Sequence, residues 1–373
     1  MLLLVATGLL VRGLRRAASV EVGFDADRVA LVTTDPALLG YGAARAEAVS
    51  AELLRRARAL PGVEHAALVR FTLLGPAGDE VPAVFAAGAA ADSARVAYNV
   101  VSPGYLAALG IPLLAGRDLA ARDDAGAPGA AVVGEAMARR FWPGRDPLGR
   151  RFSVRGAEFE VVGVARDAKY RGLGERALPY VYFSLAQEER LRLPPTALVL
   201  HARAAGDPAA LLAPLRREVW AVDPDLPAEA DLMRRTIRFS LFPARLAGRL
   251  VGACGVLALV LASVGLYGIA AYGAARRTRE FGIRMALGAR GRDVVLLVLR
   301  QGLAVTAAGL ALGLLAAFWV SGLLRGLLYG VPPGDPATYA GVAALLAAVV
   351  LLAGWGPARR AARVDPAVAL RVE

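Results

Sequence analysis

The sequence is poor in the residues that most often carry chemistry. Cys254 is the one cysteine, so no internal disulfide and no cysteine-rich zinc or iron–sulfur site can form. Two histidines, His65 and His201, leave little material for imidazole catalysis or a histidine metal site. The single lysine, Lys169, stands between Ala168 and Tyr170. A phosphate-binding loop of the Walker type needs a Gly-Lys-Ser/Thr step, and these residues contain none. Charge is scarce as well, at 20% of 373 residues, which excludes a disordered chain.

What is abundant is apolar. Hydrophobic residues make up 57% of the chain and the mean hydropathy is +0.49, values that point to a membrane protein. Three charge-free stretches, 250–275, 301–324 and 337–358, are long enough to span a bilayer as helices. Tyr267, Tyr272, Trp319, Tyr339 and Trp355 sit near their ends, where amphipathic rings favour the interface. Gly252 and Gly255, and the GxxxG pair Gly309 and Gly313, permit close helix approach or ordinary lipid-facing packing. Met1–Val11 is apolar but too short to cross, and its arginines, Arg12, Arg15 and Arg16, follow the apolar run instead of preceding it as in a signal peptide. It reads as the end of a membrane helix that begins upstream.

Orientation follows from the short loops. Residues 274–300 carry seven arginines (276, 277, 279, 284, 290, 292 and 300), whereas 325–336 carry only Arg325. The positive-inside rule then puts 274–300 and the carboxyl terminus in the cytoplasm and residues 19–240 outside. Arg234, Arg235, Arg238, Arg245 and Arg249 precede the first full span on its external side and pull the other way. Large domains translocate largely regardless of charge, so the short-loop contrast decides. The arginines cluster at span ends and not along one folded face, which argues against nucleic acid as a partner and for the lipid bilayer.

Residues 19–240 are of another character. Arg28–Thr34 and Val63–Arg70 read as strands around a helix at Ala44–Leu60, and Thr196–Ala202, Pro208–Val222 and an extended piece after Pro227 repeat the order. Two βα units flanking a turn-rich middle predict an α+β domain on a split βαβ core, with a lobe inserted at about 95–185. Within that lobe Phe159–Val164 and Arg151–Val154 read as strands and Gly134–Phe141 as a short helix. Asp123, Asp124, Asp167, Glu158 and Glu160 read as solvated surface, and Ser102 and Ser153 have no histidine near in sequence. No catalytic, cofactor or metal site is expected.

The segment Arg276–Leu299 leaves one span, crosses a basic patch, makes a short amphipathic turn through Phe281, Ile283, Met285 and Leu287, and enters the next. It suits either a linker resting on anionic lipid or a short helix projecting toward a cytoplasmic partner. Residues 277–289 (RTREFGIRMALGA) resemble the signature of FtsX/MacB-like ABC transporter permeases, and 357–373 resemble their carboxyl end. Residues 101–119, 141–152 and 159–173 are similar to the MacB-like periplasmic core. This resemblance implies a partial first membrane helix at 1–18, a MacB-like periplasmic core domain at 19–240, and an FtsX-like permease domain at 241–373. It implies a multi-pass protein of the bacterial inner membrane that is not itself an enzyme. A cytoplasmic ABC ATPase on a separate chain would drive it, with a second permease unit as homodimer or tandem half, in efflux or mechanotransmission. Glu280, Phe281, Ile283, Arg284, Leu287 and Gly288 would form the ATPase-coupling segment. A membrane-anchored extracytoplasmic sensor or scaffold without transport is the competing reading.

Overall fold

The structure is a computed structural model that describes the chain apart from residues 19–20, 76–78, 88–89, 194–196, 241, 278–279, 282, 285–286, 288–289, 323–331, 333 and 362–373. It divides into two compact units, Met1–Ser19 with Phe242–Glu373, and Val20–Leu241. The first opens with α1 (Leu2–Ala18).

The second unit starts with β1 (Val29–Thr34), α2 (Ala43–Ala59) and β2 (Val63–Val69), and ends with β10 (Leu198–Ala204), α5 (Leu212–Val222), β11 (Glu229–Leu232) and α6 (Met233–Ser240). The strands lie in the order β11-β1-β10-β2, antiparallel throughout, so each helix-linked pair has a strand of the other pair between its members. Strand periodicity sorts the faces. Leu200, Ala202 and Ala204 of β10 join Ala30 and Val32 of β1 in a core closed by Leu53 and Ala57 of α2 and Leu215 and Val219 of α5. Glu52 on the outer side of α2 pairs with Arg55 and Arg56, both at 2.6 Å. His201, on the other face of β10, meets Tyr105 of the short α3 (Tyr105–Leu109) at 5.7 Å between ring centroids.

Between these halves come β3 (Asp79–Ala87), β4 (Ala90–Val101), β5 (Leu113–Gly116), β6 (Ala130–Gly134), α4 (Glu135–Phe141), β7 (Arg151–Val154), β8 (Ala157–Ala165) and β9 (Tyr180–Ser184). Six of the strands close on themselves: β4 pairs with β3, β3 with β7, β7 with β8, β8 with β6, β6 with β9, and β9 again with β4. A barrel this small is filled by its own side chains. Val81, Phe85, Tyr98, Phe152, Phe159, Val161 and Phe183 share one core with Met137, Phe141 and Trp142 from α4. Phe85 stacks on Phe141 at 3.7 Å and Phe159 lies 4.6 Å from Phe183.

The barrel joins the open sheet at one place. Val69 of β2 pairs with Val101 of β4, and Ser102 continues the junction. Its N–H donates to the Leu68 carbonyl at 2.8 Å, and its Oγ accepts from the Leu68 N–H at 2.9 Å. Ser102 is therefore a structural link. β3, which precedes residue 95, contributes Val81, Ala83 and Phe85 to the barrel core, and β4 contributes Val96, Tyr98 and Val100.

In the first unit, α7 (Phe242–Arg276), α8 (Gly291–Ser321) and α9 (Pro336–Ala361) pack with α1. Among the described residues Arg245–Gly273 and Pro336–Arg360 are long and apolar enough to cross a membrane, and Leu2–Gly13 and Gly309–Ser321 are shorter apolar stretches. The expected span at 301–324 runs partly outside the described residues. Val5, Leu9 and Leu10 of α1 are buried with Ala317 of α8 and Val342 of α9. Small residues permit this: a Cβ on Gly252 would lie 3.3 Å from the Thr7 methyl, and one on Gly255 would lie 3.3 Å from Leu4. The two expected alternatives divide over the GxxxG pair: a Cβ on Gly309 would meet nothing from another helix within 4 Å, while one on Gly313 would meet Met1.

Candidate functional site

Between α7 and α8 some of the described residues are helical. Glu280, Phe281, Ile283 and Arg284 are helical, the Phe281 N–H donates to the Arg277 carbonyl at 2.9 Å, and the Leu287 N–H donates to Ile283 at 3.0 Å. Helical spacing then separates its apolar residues. Two positions apart means about 200° around the axis, and four positions apart returns to the same face. Phe281 is accordingly turned inward, 1% exposed, whereas Ile283 and Leu287 point outward at 44% and 83%. The spacing of four between Ile283 and Leu287 puts that pair on one face. Phe281 anchors the segment, and among its described residues Ile283 and Leu287 present apolar surface, Met285 lying outside them. Gly288 lies outside the described residues.

Charge flanks that surface. Arg284 pairs with Glu280 at 2.7 Å, one turn apart, with both side chains near half exposure. Arg276 stands over the Tyr272 ring at 5.5 Å at the end of α7. The start of α8 is fixed by reciprocal bonds: the Arg290 N–H donates to Asp293 Oδ2 at 3.0 Å, and the Asp293 N–H donates to the Arg290 carbonyl at 2.8 Å. Asp293 thus satisfies a free donor at the positive end of the helix. A two-residue apolar face rimmed by arginines can bind a complementary groove, and it holds no group placed for chemistry.

The carboxylates of the other unit serve its fold, and two of them correct the solvated-surface reading. Asp123 is buried and accepts a fork from Arg117 at 2.7 and 2.8 Å, with the Ala120 N–H adding a third bond at 2.8 Å. Asp167 accepts from the Ala136 N–H at the start of α4 and from Arg139, both at 3.0 Å. Only long-range folding brings Asp167 to α4, so no local pattern announces it. Asp124 accepts from the N–H groups of Gly126 and Ala127 at 2.9 Å each, which shapes a turn. His201 is fully buried, and burial pushes its imidazole down to about 3. Among the described residues no three His, Cys, Asp or Glu side chains gather as a cation site.

The chain is similar to known proteins over most of its length. Residues 1–218 match the MacB-like periplasmic core domain, and residues 252–366 match the FtsX-like permease C-terminal region. The macrolide export ATP-binding/permease protein MacB of Rhodospirillum rubrum is 31% identical over 293 residues, covering 75% of this chain and 43% of that protein. The pyoverdine export ATP-binding/permease protein PvdT of Pseudomonas entomophila is 29% identical, covering 70% of this chain and 41% of that one. The chain thus spans less than half the length of these relatives. The periplasmic region of MacB from Actinobacillus actinomycetemcomitans aligns with 58% of this chain and 94% of its own, at 10% identity and a TM-score of 0.42. The chain belongs to the MacB-like periplasmic core domain family, with an FtsX-like permease region following that domain in the same sequence.

Proposed function

We propose that the chain is the permease part of an ABC transporter and that Ile283 and Leu287 dock a cytoplasmic ATPase not contained in these residues. The observation that carries this is the exposed apolar pair, 44% and 83% accessible, held on one face between α7 and α8 with Arg284 beside it. Apolar anchors that fill a partner's pocket dominate interfaces of this kind. In this reading α7, α8 and α9 cross the inner membrane as three spans with α1 packed beside them, and the carboxyl terminus is cytoplasmic. Residues 19–240 are extracytoplasmic, with a split βαβ core and the barrel as its inserted lobe. ATP hydrolysis inside tilts the helices, and the outer domain moves with them to drive export, with a second permease unit completing the transporter. The printed names of the relatives, macrolide and pyoverdine exporters, support efflux as the output.

The test is a pull-down of the cognate ATPase with full-length permease in detergent. Ile283→Asp with Leu287→Asp abolishes association while membrane insertion is kept, because neither residue belongs to a span. Retention of the ATPase at wild-type level by the double variant defeats the assignment.

A further inference from the structure

The arginines that oppose the positive-inside contrast lie in a defined place. Arg234, Arg235 and Arg238 belong to α6, and Arg245 and Arg249 to the first two turns of α7. From Met233 to Ala275 the sequence holds these five arginines and no acidic residue. Helix α6 packs against β1 and β11, with Met233 buried and Ile237, one turn on, half-buried. Arg235, Arg238 and Phe239 are all exposed, Phe239 at 74%. Spaced i, i+3 and i+4, they share one face. Arg235 makes a 3.4 Å surface pair with Asp231, a contact that water screens.

A face that combines guanidinium groups with an exposed aromatic ring suits the boundary between water and hydrocarbon. There arginine stems lie along apolar matter, their heads reach phosphate, and the ring enters the acyl region. Ser240 ends α6 and Phe242, itself exposed, begins α7. The apolar run at 250–275 begins eight residues after Phe242, about 12 Å along a helix, so the chain keeps α6 within reach of the outer headgroups.

We propose that α6 is an interfacial helix on the outer leaflet, binding anionic phospholipid phosphates through Arg235 and Arg238 with Phe239 inserted beside them. This rests on the orientation given under Proposed function. It gives the externally placed arginines a partner of opposite charge.

The test uses the full chain with a spin label at Phe239→Cys in a Cys254→Ser background. The protein is reconstituted in phosphatidylcholine vesicles with or without phosphatidylglycerol. Depth is read from the relative collision rates of the label with oxygen and with a water-soluble nickel chelate. The label sits at headgroup depth or deeper in anionic vesicles and moves toward water in neutral ones. Arg235→Ala with Arg238→Ala lowers the partition of the segment roughly 30-fold, about fivefold for each arginine, and removes the difference between the two lipids. A label that stays in water in both vesicle types overturns the proposal and leaves this face to a protein partner. A separate arm treats intact cells with a membrane-impermeant thiol reagent. Blocking of Leu38→Cys, 72% exposed on the outer domain, keeps the orientation standing whatever the depth result at 239, whereas its protection in intact cells with reaction after detergent overturns the orientation and the proposal together.

Discussion

Arg12 of α1 forms an ion pair with Asp335, and Asp335 is also the residue that caps α9. The Asp335 carboxylate accepts from the Thr338 N–H at 3.0 Å and from the Thr338 hydroxyl at 2.6 Å, with Pro336 opening the helix. One carboxylate thus both starts a helix and ties it to another. Asp335→Ala is expected to cost about 1–2 kcal/mol, chiefly through the cap. Arg12→Ala is expected to cost less than about 1 kcal/mol, because its side chain is half exposed. Thermal unfolding in detergent ranks the two, and a larger loss for Arg12→Ala contradicts the capping role.

Arg117→Ala leaves the buried Asp123 carboxylate without its fork and with only the Ala120 N–H, and a loss of about 1–3 kcal/mol is expected for the lost charged hydrogen bonds. Arg117→Met with Asp123→Leu removes both charges and is expected to cost clearly less. Urea unfolding of the two variants measures the difference. Equal losses would show that packing, not charge, holds this corner.

His201 ties stability to pH. Its folded imidazole titrates at about 3, against an ordinary value near 6.5 in the unfolded chain. Below pH 6.5 the unfolded state binds a proton that the native state does not. Stability is therefore full above 6.5 and falls as pH drops toward 3, by about 1.4 kcal/mol per pH unit. His201→Leu is expected to remove that slope, leaving the carboxylates' contribution. Parallel unfolding curves for wild type and variant between pH 7 and 4.5 would contradict it.

These features differ in how far the sequence announces them. The helix α2 and the strands β1, β2, β7 and β8 follow from local periodicity, and each coincides closely with its expected range. The hairpin of β3 and β4 does not, because residues 86–94 are mostly alanine and carry little strand preference. Barrel closure is less legible still, since β4 meets β9 across some eighty residues and no window contains both. The start of α9 was readable: Asp335-Pro336 is a cap followed by proline at the first helical position. In the segment proposed to couple, the shared face of Ile283 and Leu287 follows from their spacing of four, and the inward turn of Phe281 from counting 100° per residue.

Orientation has its own check. In a Cys254→Ser background, a cysteine at the exposed Pro332 is expected to react with an impermeant thiol reagent applied outside, and one at Arg290 only after the membrane is opened. The reverse pattern would place the coupling segment outside and away from any ATP.

The docking of the ATPase on the exposed face is tested most directly by a photo-crosslinking amino acid placed at Leu287 and, separately, at Phe281, in cells that carry the cognate ATPase. Leu287 is 83% exposed and Phe281 1%, so a crosslink to the ATPase is expected at 287 and none at 281. Absence of an ATPase crosslink at 287, with the protein inserted at wild-type level, would contradict the account.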